Sequence, residues 1–118
     1  MEINRAVDSI IISLRGLAGF CKKSIQVGKH TIVYLEGGRG ESILLLHGFG
    51  ADKDNWNLFS RHLTKKYHVI APDLPGFGES SKIWSARYHI VAQVERVHEF
   101  AKEIGLTKFH LVGTPWED

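Results

Sequence analysis

Three short stretches of this 118-residue chain place reactive side chains, or backbone freed of side chains, where chemistry is possible. "LLLHGFG" (44–50) ends an apolar run in His47, Gly48, Phe49 and Gly50. Read from its residues, that is a glycine turn connecting a strand to a helix, with room for backbone N–H groups to face a ligand. "VIAPDLPGFGESS" (69–81) sets Asp73 at a strand end, followed by Gly76, Gly78 and Ser80. Asp73 there could act as a general base, or Gly76-Phe77-Gly78 could cradle a phosphate. The glycine spacing fits neither G-x-G-x-x-G nor a P-loop, however, and no Lys-Ser/Thr pair follows. "FHLVGTPWED" (109–118) runs an apolar strand into Gly113, then Thr114 and Pro115.

The remaining candidates are weaker. Seven histidines are present, none spaced with an acid or cysteine as metal ligands would be, so no metal and no cofactor is expected. The lone Cys21 excludes an intrachain disulfide and lies outside any cleft motif; a reducing, cytoplasmic compartment is the default. The formal charge of +2 comes from interspersed acids and bases, which argues against a nucleic-acid partner.

The elements that must position these stretches follow from periodicity. Residues 1–23 form an N-terminal amphipathic segment, with Ile3, Val7, Ile10, Ile11, Leu14, Leu17 and Ala18 at helical spacing. Its apolar run is too short for the ~20 residues of a membrane span. It reads as a helix packed on its own domain or, over residues 3–23, as one resting on a membrane surface with Arg15, Lys22 and Lys23 as basic partners. Residues 24–118 hold the rest of the fold. "SIQV" and "HTIVYLE" predict two antiparallel-type strands, with Ile32 and Tyr34 on one face and Thr31, Val33 and Leu35 on a wet one. "GGRGE" is a turn. Ile43–Leu46, "YHVIAPD" and "FHLVG" predict strands buried on both faces of a parallel sheet. Between them lie a helix carrying Trp56, Phe59 and Leu63, for which Asp52 and Asp54 are cap candidates, and one with Ile90, Val94, Val97, Ala101 and Ile104 on its stripe, ended by Gly105. The order β-α-β-α-β after the antiparallel strands means an α/β fold with right-handed crossovers.

Taken together, the loops of 44–56 and 69–81, each after a buried strand, resemble the N-terminal part of an α/β-hydrolase, of the lipase, esterase and monoacylglycerol-lipase-like kind. The resemblance runs from about Ser24 to Gly113. It implies that the turn after the first parallel strand is an oxyanion loop, with Phe49 supplying the N–H, Gly48 and Gly50 permitting the bend and His47 holding the loop by hydrogen bonding. It also implies that Asp73 shapes the cavity wall rather than joining a catalytic triad.

The same resemblance expects G-x-S-x-G after "FHLV", with the serine on a strained strand-to-helix turn. Gly113 is in place and Thr114 fills x, but Pro115 stands where the nucleophile belongs and Glu117 where the second glycine belongs. Gly113, Thr114 and Pro115 are a vestigial elbow. A one-base deletion accounts for it: Asn-Ser-Met-Gly-Gly written AAC TCC ATG GGA GGA becomes ACT CCA TGG GAG GA, which reads Thr-Pro-Trp-Glu and an unfinished Asp codon. The chain is therefore expected to be part of a serine carboxylic-ester hydrolase acting on acyl esters or lipids. Without serine, acid or triad histidine it should be inactive alone, and a C-terminal half is a possible partner. The alternative expectation is a non-catalytic binding or regulatory module on a truncated fold.

Overall fold

The computed structural model describes residues 2–48, 51–82 and 90–113. A helix, α1 (Glu2–Leu17), precedes a five-stranded mixed sheet: β1 (Cys21–Val27), β2 (His30–Gly37), β3 (Ser42–Leu46), β4 (His68–Pro72) and β5 (His110–Gly113). A short 3-10 turn (Lys53–Trp56) runs into α2 (Asn57–Leu63), and α3 (Ile90–Glu103) joins β4 to β5. The order across the sheet is β1-β2-β4-β3-β5. β1, β2 and β4 pair antiparallel, whereas β3 runs parallel to both β4 and β5.

Period-two alternation sorts the apolar runs onto two cores. Ile43, Leu45, Val69 and Ala71 point to one face, where Ala18, Phe20 and Leu35 join them and Trp56, Leu63 and Tyr67 cover them. Leu44 and Ile70 point to the other, with Val27, Ile32, Tyr34 and Phe100. Both faces of β3 and β4 are thus dry, which is why these two strands read as unbroken apolar runs. Each fully buried leucine there contributes about 2 kcal/mol of transfer free energy.

The chain progresses from β3 to β4 in one direction, then passes back over β3 to reach β5 in the other. Right-handed crossovers put the connecting helices on opposite faces when the direction reverses. That is what the cores show, with α2 on the Leu45 face and Phe100 of α3 on the Leu44 face. The strand order reverses at β3, and ligands of such sheets bind beyond the carboxyl ends of the strands at that switch point.

Five local expectations change. β1 begins at Cys21 rather than Ser24, so it takes up the end of the N-terminal segment. Leu35 is not on a wet face: Ala18 and Phe20, at the end of α1, close over it. Most of α1's apolar stripe is not packed, since Val7, Ile10 and Leu17 are exposed while Ile11 and Leu14 are half-buried. On α3 the inward stripe is rotated to Gln93, Val97, Phe100, Ala101 and Ile104, leaving Ile90 and Val94 exposed. Phe100 sets the rotation by meeting Tyr34 edge to face at 5.2 Å, and Gln93 turns inward to donate to the Pro75 carbonyl at 2.8 Å. Finally, β5 is exposed along its whole length, with Leu111 at 59%. It pairs with β3 on one edge only among the described residues, so its apolar sequence is matched by no second neighbour.

Candidate active site: two clamped loops at the switch point

The carboxyl ends of β3 and β4 open into the two glycine-bearing loops, and a fully buried histidine joins them. His47 Nε2 accepts the Leu74 N–H at 2.9 Å, so the proton of the neutral ring is on Nδ1, which donates to the Gly48 carbonyl at 2.8 Å. Phe77 packs edge to face on the ring at 5.4 Å. His47 therefore ties the β3 loop to the β4 loop, by contacts that need it uncharged.

Beneath it lies an ion cluster that the sequence did not reveal. Lys53, 1% exposed, is the largest fully buried side chain. Its backbone N–H donates to Asp73 Oδ1 and its Nζ to Asp73 Oδ2, both at 2.7 Å. Asp73 is itself fully buried, and its Oδ2 also accepts the Glu79 N–H at 2.7 Å. Lys53 Nζ continues to Glu79 Oε1 at 2.9 Å. Arg15 of α1 grips Asp54 with two hydrogen bonds of 2.8 Å, and Lys22 of β1 reaches Glu79 at 2.8 Å. The six charges cancel, and the deeply buried members at their centre, Lys53 and Asp73, neutralise each other directly.

Protonation follows the same geometry. Hydrogen bonds from Lys22 and Lys53 hold Glu79 down at about 2. Burial works against the charge of Asp54, but Arg15 and Asn57 outweigh it and keep its carboxyl below the usual range. Burial likewise opposes charge on Lys53, and its bonds to Asp73 and Glu79 prevail, raising its pKa. Each of these shifts, and the raised pKa of Arg15 beside Asp54, favours the charged form. Asp73, fully buried with a lysine and two backbone N–H groups on its oxygens, serves as a clamp between the two loops.

Backbone conformation completes the clamp. Gly78 adopts φ +53°, and a Cβ there would stand 2.3 Å from the Asp73 carboxylate. Ser80 Oγ donates to the Asp73 carbonyl at 2.6 Å and accepts the Val33 N–H at 2.9 Å, tying the loop to β2. Asp52 caps the 3-10 turn by accepting the Asp54 N–H at 2.9 Å, while Asp54 is spent on Arg15 and Asn57. A cleft of about 430 Å³ lies between this cluster and Ile11 and Ile12 of α1.

The register of the sheet decides what the first loop faces. Leu46 of β3 pairs with Gly113 of β5, so the two parallel strands end side by side. Phe49 and Gly50 of the expected oxyanion loop, and Thr114 and Pro115 of the expected elbow, lie outside the described residues. Among the described residues no three His, Cys, Asp or Glu side chains gather as a metal site.

Residues 41–116 match the alpha/beta hydrolase fold family. The chain belongs to that family. It is 50% identical over 84 residues to Lipase 1 of Psychrobacter immobilis, covering 70% of this chain and 26% of that lipase. It is 44% identical over 79 residues to the monoacylglycerol lipase abhd6-B of Xenopus laevis, covering 65% of this chain and 23% of the relative. The crystal structure of a membrane phospholipase A, described as a bacterial virulence factor, superposes with a TM-score of 0.92 at 50% identity, covering 94% of this chain and 36% of that one. The chain thus spans about a quarter of the length of these curated relatives and about a third of the solved structure.

Missing from the sequence reading were Lys53, Asp54, Glu79 and Arg15 as one cluster. The one signal for it was a lysine placed between two acids at the start of a loop-borne helix, and that does not disclose a partner twenty positions away.

Proposed function

We propose that residues 24–113 form the oxyanion side of a serine carboxylic-ester hydrolase site for acyl esters of lipid type. The observation that carries this is the Leu46–Gly113 register, by which the end of β3, where His47 begins the first loop, lies beside the end of β5, and this supports an oxyanion loop next to a nucleophile elbow. In this reading the Phe49 N–H and the N–H of the residue after the nucleophile hold the developing oxyanion, while Gly48 and Gly50 allow the bend. The Lys53–Asp73 clamp and His47 keep the loop in place before substrate arrives, so that no reorganisation is needed during reaction. The names of the relatives, lipases and a phospholipase, support a lipid ester as the substrate class.

Pro115 offers neither hydroxyl nor N–H, so this chain on its own is expected not to turn over acylglycerols. Residues 114–118 read as an elbow displaced by one base, and the DNA following the Gly113 codon should resume a hydrolase sequence in another frame; a downstream sequence with no such frame rejects the deletion. The functional test is a chimera joining residues 1–113 to the part of the Psychrobacter lipase that follows the matching glycine. It should hydrolyse a monoacylglycerol, and a folded but silent chimera would overturn the assignment. The exposed Val7, Ile10 and Leu17 of α1 suit peripheral contact with lipid. Val7→Asp with Ile10→Asp should then abolish co-sedimentation with phospholipid vesicles, and undiminished binding would refute that contact.

A further inference from the structure

At the opposite end of the parallel strands a second set of reactive side chains is assembled, and neither the oxyanion reading nor the ion cluster uses it. Glu36 is the penultimate residue of β2, Ser42 begins β3 and His68 begins β4. His68 lies between the other two. Its Nε2 is hydrogen-bonded to Glu36 Oε2, and Ser42 Oγ lies 2.9 Å from its Nδ1. A carboxylate can only accept, so the ring proton is on Nε2 and Nδ1 is left to accept the Ser42 hydroxyl proton. Glu36 is held in turn: Lys23 Nζ donates to its Oε1 at 2.7 Å. Burial works against charge on Glu36, but Lys23 and His68 outweigh it and keep its carboxyl below the ordinary range.

Two features make this more than neighbouring strand ends. The loop from Glu36 to Ser42 is pressed against the segment leading into His68: Gly38, at φ +79°, comes so close that a Cβ would stand 2.0 Å from the Tyr67 carbonyl oxygen. The Ser42–His68 pairing is also a register position of the sheet, fixed by the backbone ladder. The serine lines, on its other side, a cleft of about 390 Å³ with Gly40, Glu41, Lys108, Phe109 and His110, in which the Glu41 carboxylate is turned to His110 Nε2 at 3.1 Å. A hydroxyl, a base within hydrogen-bond reach and a carboxylate orienting that base form the arrangement that activates a serine nucleophile, whatever fold carries it.

We propose that Ser42, His68 and Glu36 form a second nucleophilic site, an acyl acceptor for activated carboxylic esters, at the end of the sheet away from the oxyanion loop. Ser42 Oγ attacks the ester carbonyl carbon as its proton passes to His68 Nδ1. Glu36 steadies the resulting imidazolium through Nε2–H, and Lys108 supplies positive charge in the cleft where the carbonyl oxygen becomes negative. The carbon–oxygen bond to the leaving group then breaks, the leaving group takes the proton from Nδ1 or departs as the anion, and the acyl group remains on Ser42. Four residues of β3 lie between this serine and His47, five steps or about 16 Å at strand rise, so one small ester cannot engage both.

The experiment uses the full chain with p-nitrophenyl acetate, followed by intact mass and peptide mapping. One acetyl group on Ser42 is expected, together with one equivalent of nitrophenolate. His68→Gln should slow labelling of Ser42 by at least ~100-fold, the usual contribution of a positioned base. Glu36→Gln, which keeps an acceptor for Nε2–H and removes the charge, should slow it less. In urea, where the three side chains part, Ser42 should label no faster than in His68→Gln, which serves as the reference if a variant fails to fold. Acetylation confined to lysines or the N-terminal amine would overturn the proposal, as would equal Ser42 labelling in native and unfolded chain. In the chimera described above, Ser42→Ala should leave monoacylglycerol hydrolysis intact, so the failure of either site is seen separately.

Discussion

The middle of the sheet and its β5 rim carry equally apolar sequences and reach opposite states. Ile43–Leu45 and Val69–Ala71 are almost fully buried, whereas Leu111 and Val112 are 59% and 39% exposed. The difference lies in neighbours and not in residue type. β3 and β4 have a strand on either side and a helix-derived core on either face; among the described residues β5 has one strand. The two loops above the middle are then locked by buried charge, and no buried ion pair reaches β5 among the described residues. The loop-bearing centre is accordingly the part of the molecule whose perturbation should cost most.

The largest loss should come from Lys53→Met. It strands the Asp73 carboxylate without its cation in a site that is 0% exposed, a change that costs about 3–5 kcal/mol. Lys65→Met on the surface should stay within ~0.5 kcal/mol. Urea unfolding followed by circular dichroism measures both, and equal midpoints would show that the clamp carries no stability. Next, Leu44→Ala should cost about 2–5 kcal/mol as a core cavity, and Leu111→Ala less than ~1 kcal/mol because its side chain is already in water. Comparable losses would mean that β5 is covered in solution, by another copy or otherwise, and would dissolve the contrast between centre and rim.

The smallest effect should be a pH dependence. Glu79 titrates at about 2 in the fold against 4.5 ordinarily, and Asp54 is also depressed. Groups with depressed pKa values stabilise the fold fully above the unfolded value and lose that contribution as pH falls through the folded one. The contribution of these two carboxylates should therefore be constant down to about pH 5 and be lost between roughly 4.5 and 2, seen as an acid limb in the thermal midpoint. Glu79→Gln should flatten that acid limb, and an unchanged slope would assign the loss to other carboxylates.

How much of this was legible in the sequence divides along the same line. Unbroken apolar runs announced β3 and β4, because burial on both faces leaves no alternation to read. Glycines at 76 and 78 announced the second loop, because their backbone takes positive φ there. The rotation of α3 was not legible: the apolar stripe nominated Val94, whereas Phe100 and an inward Gln93 set the helix by contacts made only after the sheet exists. The exposure of β5 escaped for a similar reason, since apolarity reports what a strand wants and not what stands beside it. The Lys53–Asp73 pair escaped most completely, because a register between two loops has to form before the two residues can meet.

That pair has a consequence for how the sequence can change. Removing either member alone leaves a buried ion without its counter-ion, while an apolar pair of similar volume is often as stable as a buried ion pair. Each single substitution is a valley between two tolerable states. Positions 53 and 73 should therefore behave in descent as one inherited character, altered together or kept, although they sit in different loops and in different crossover units of the fold.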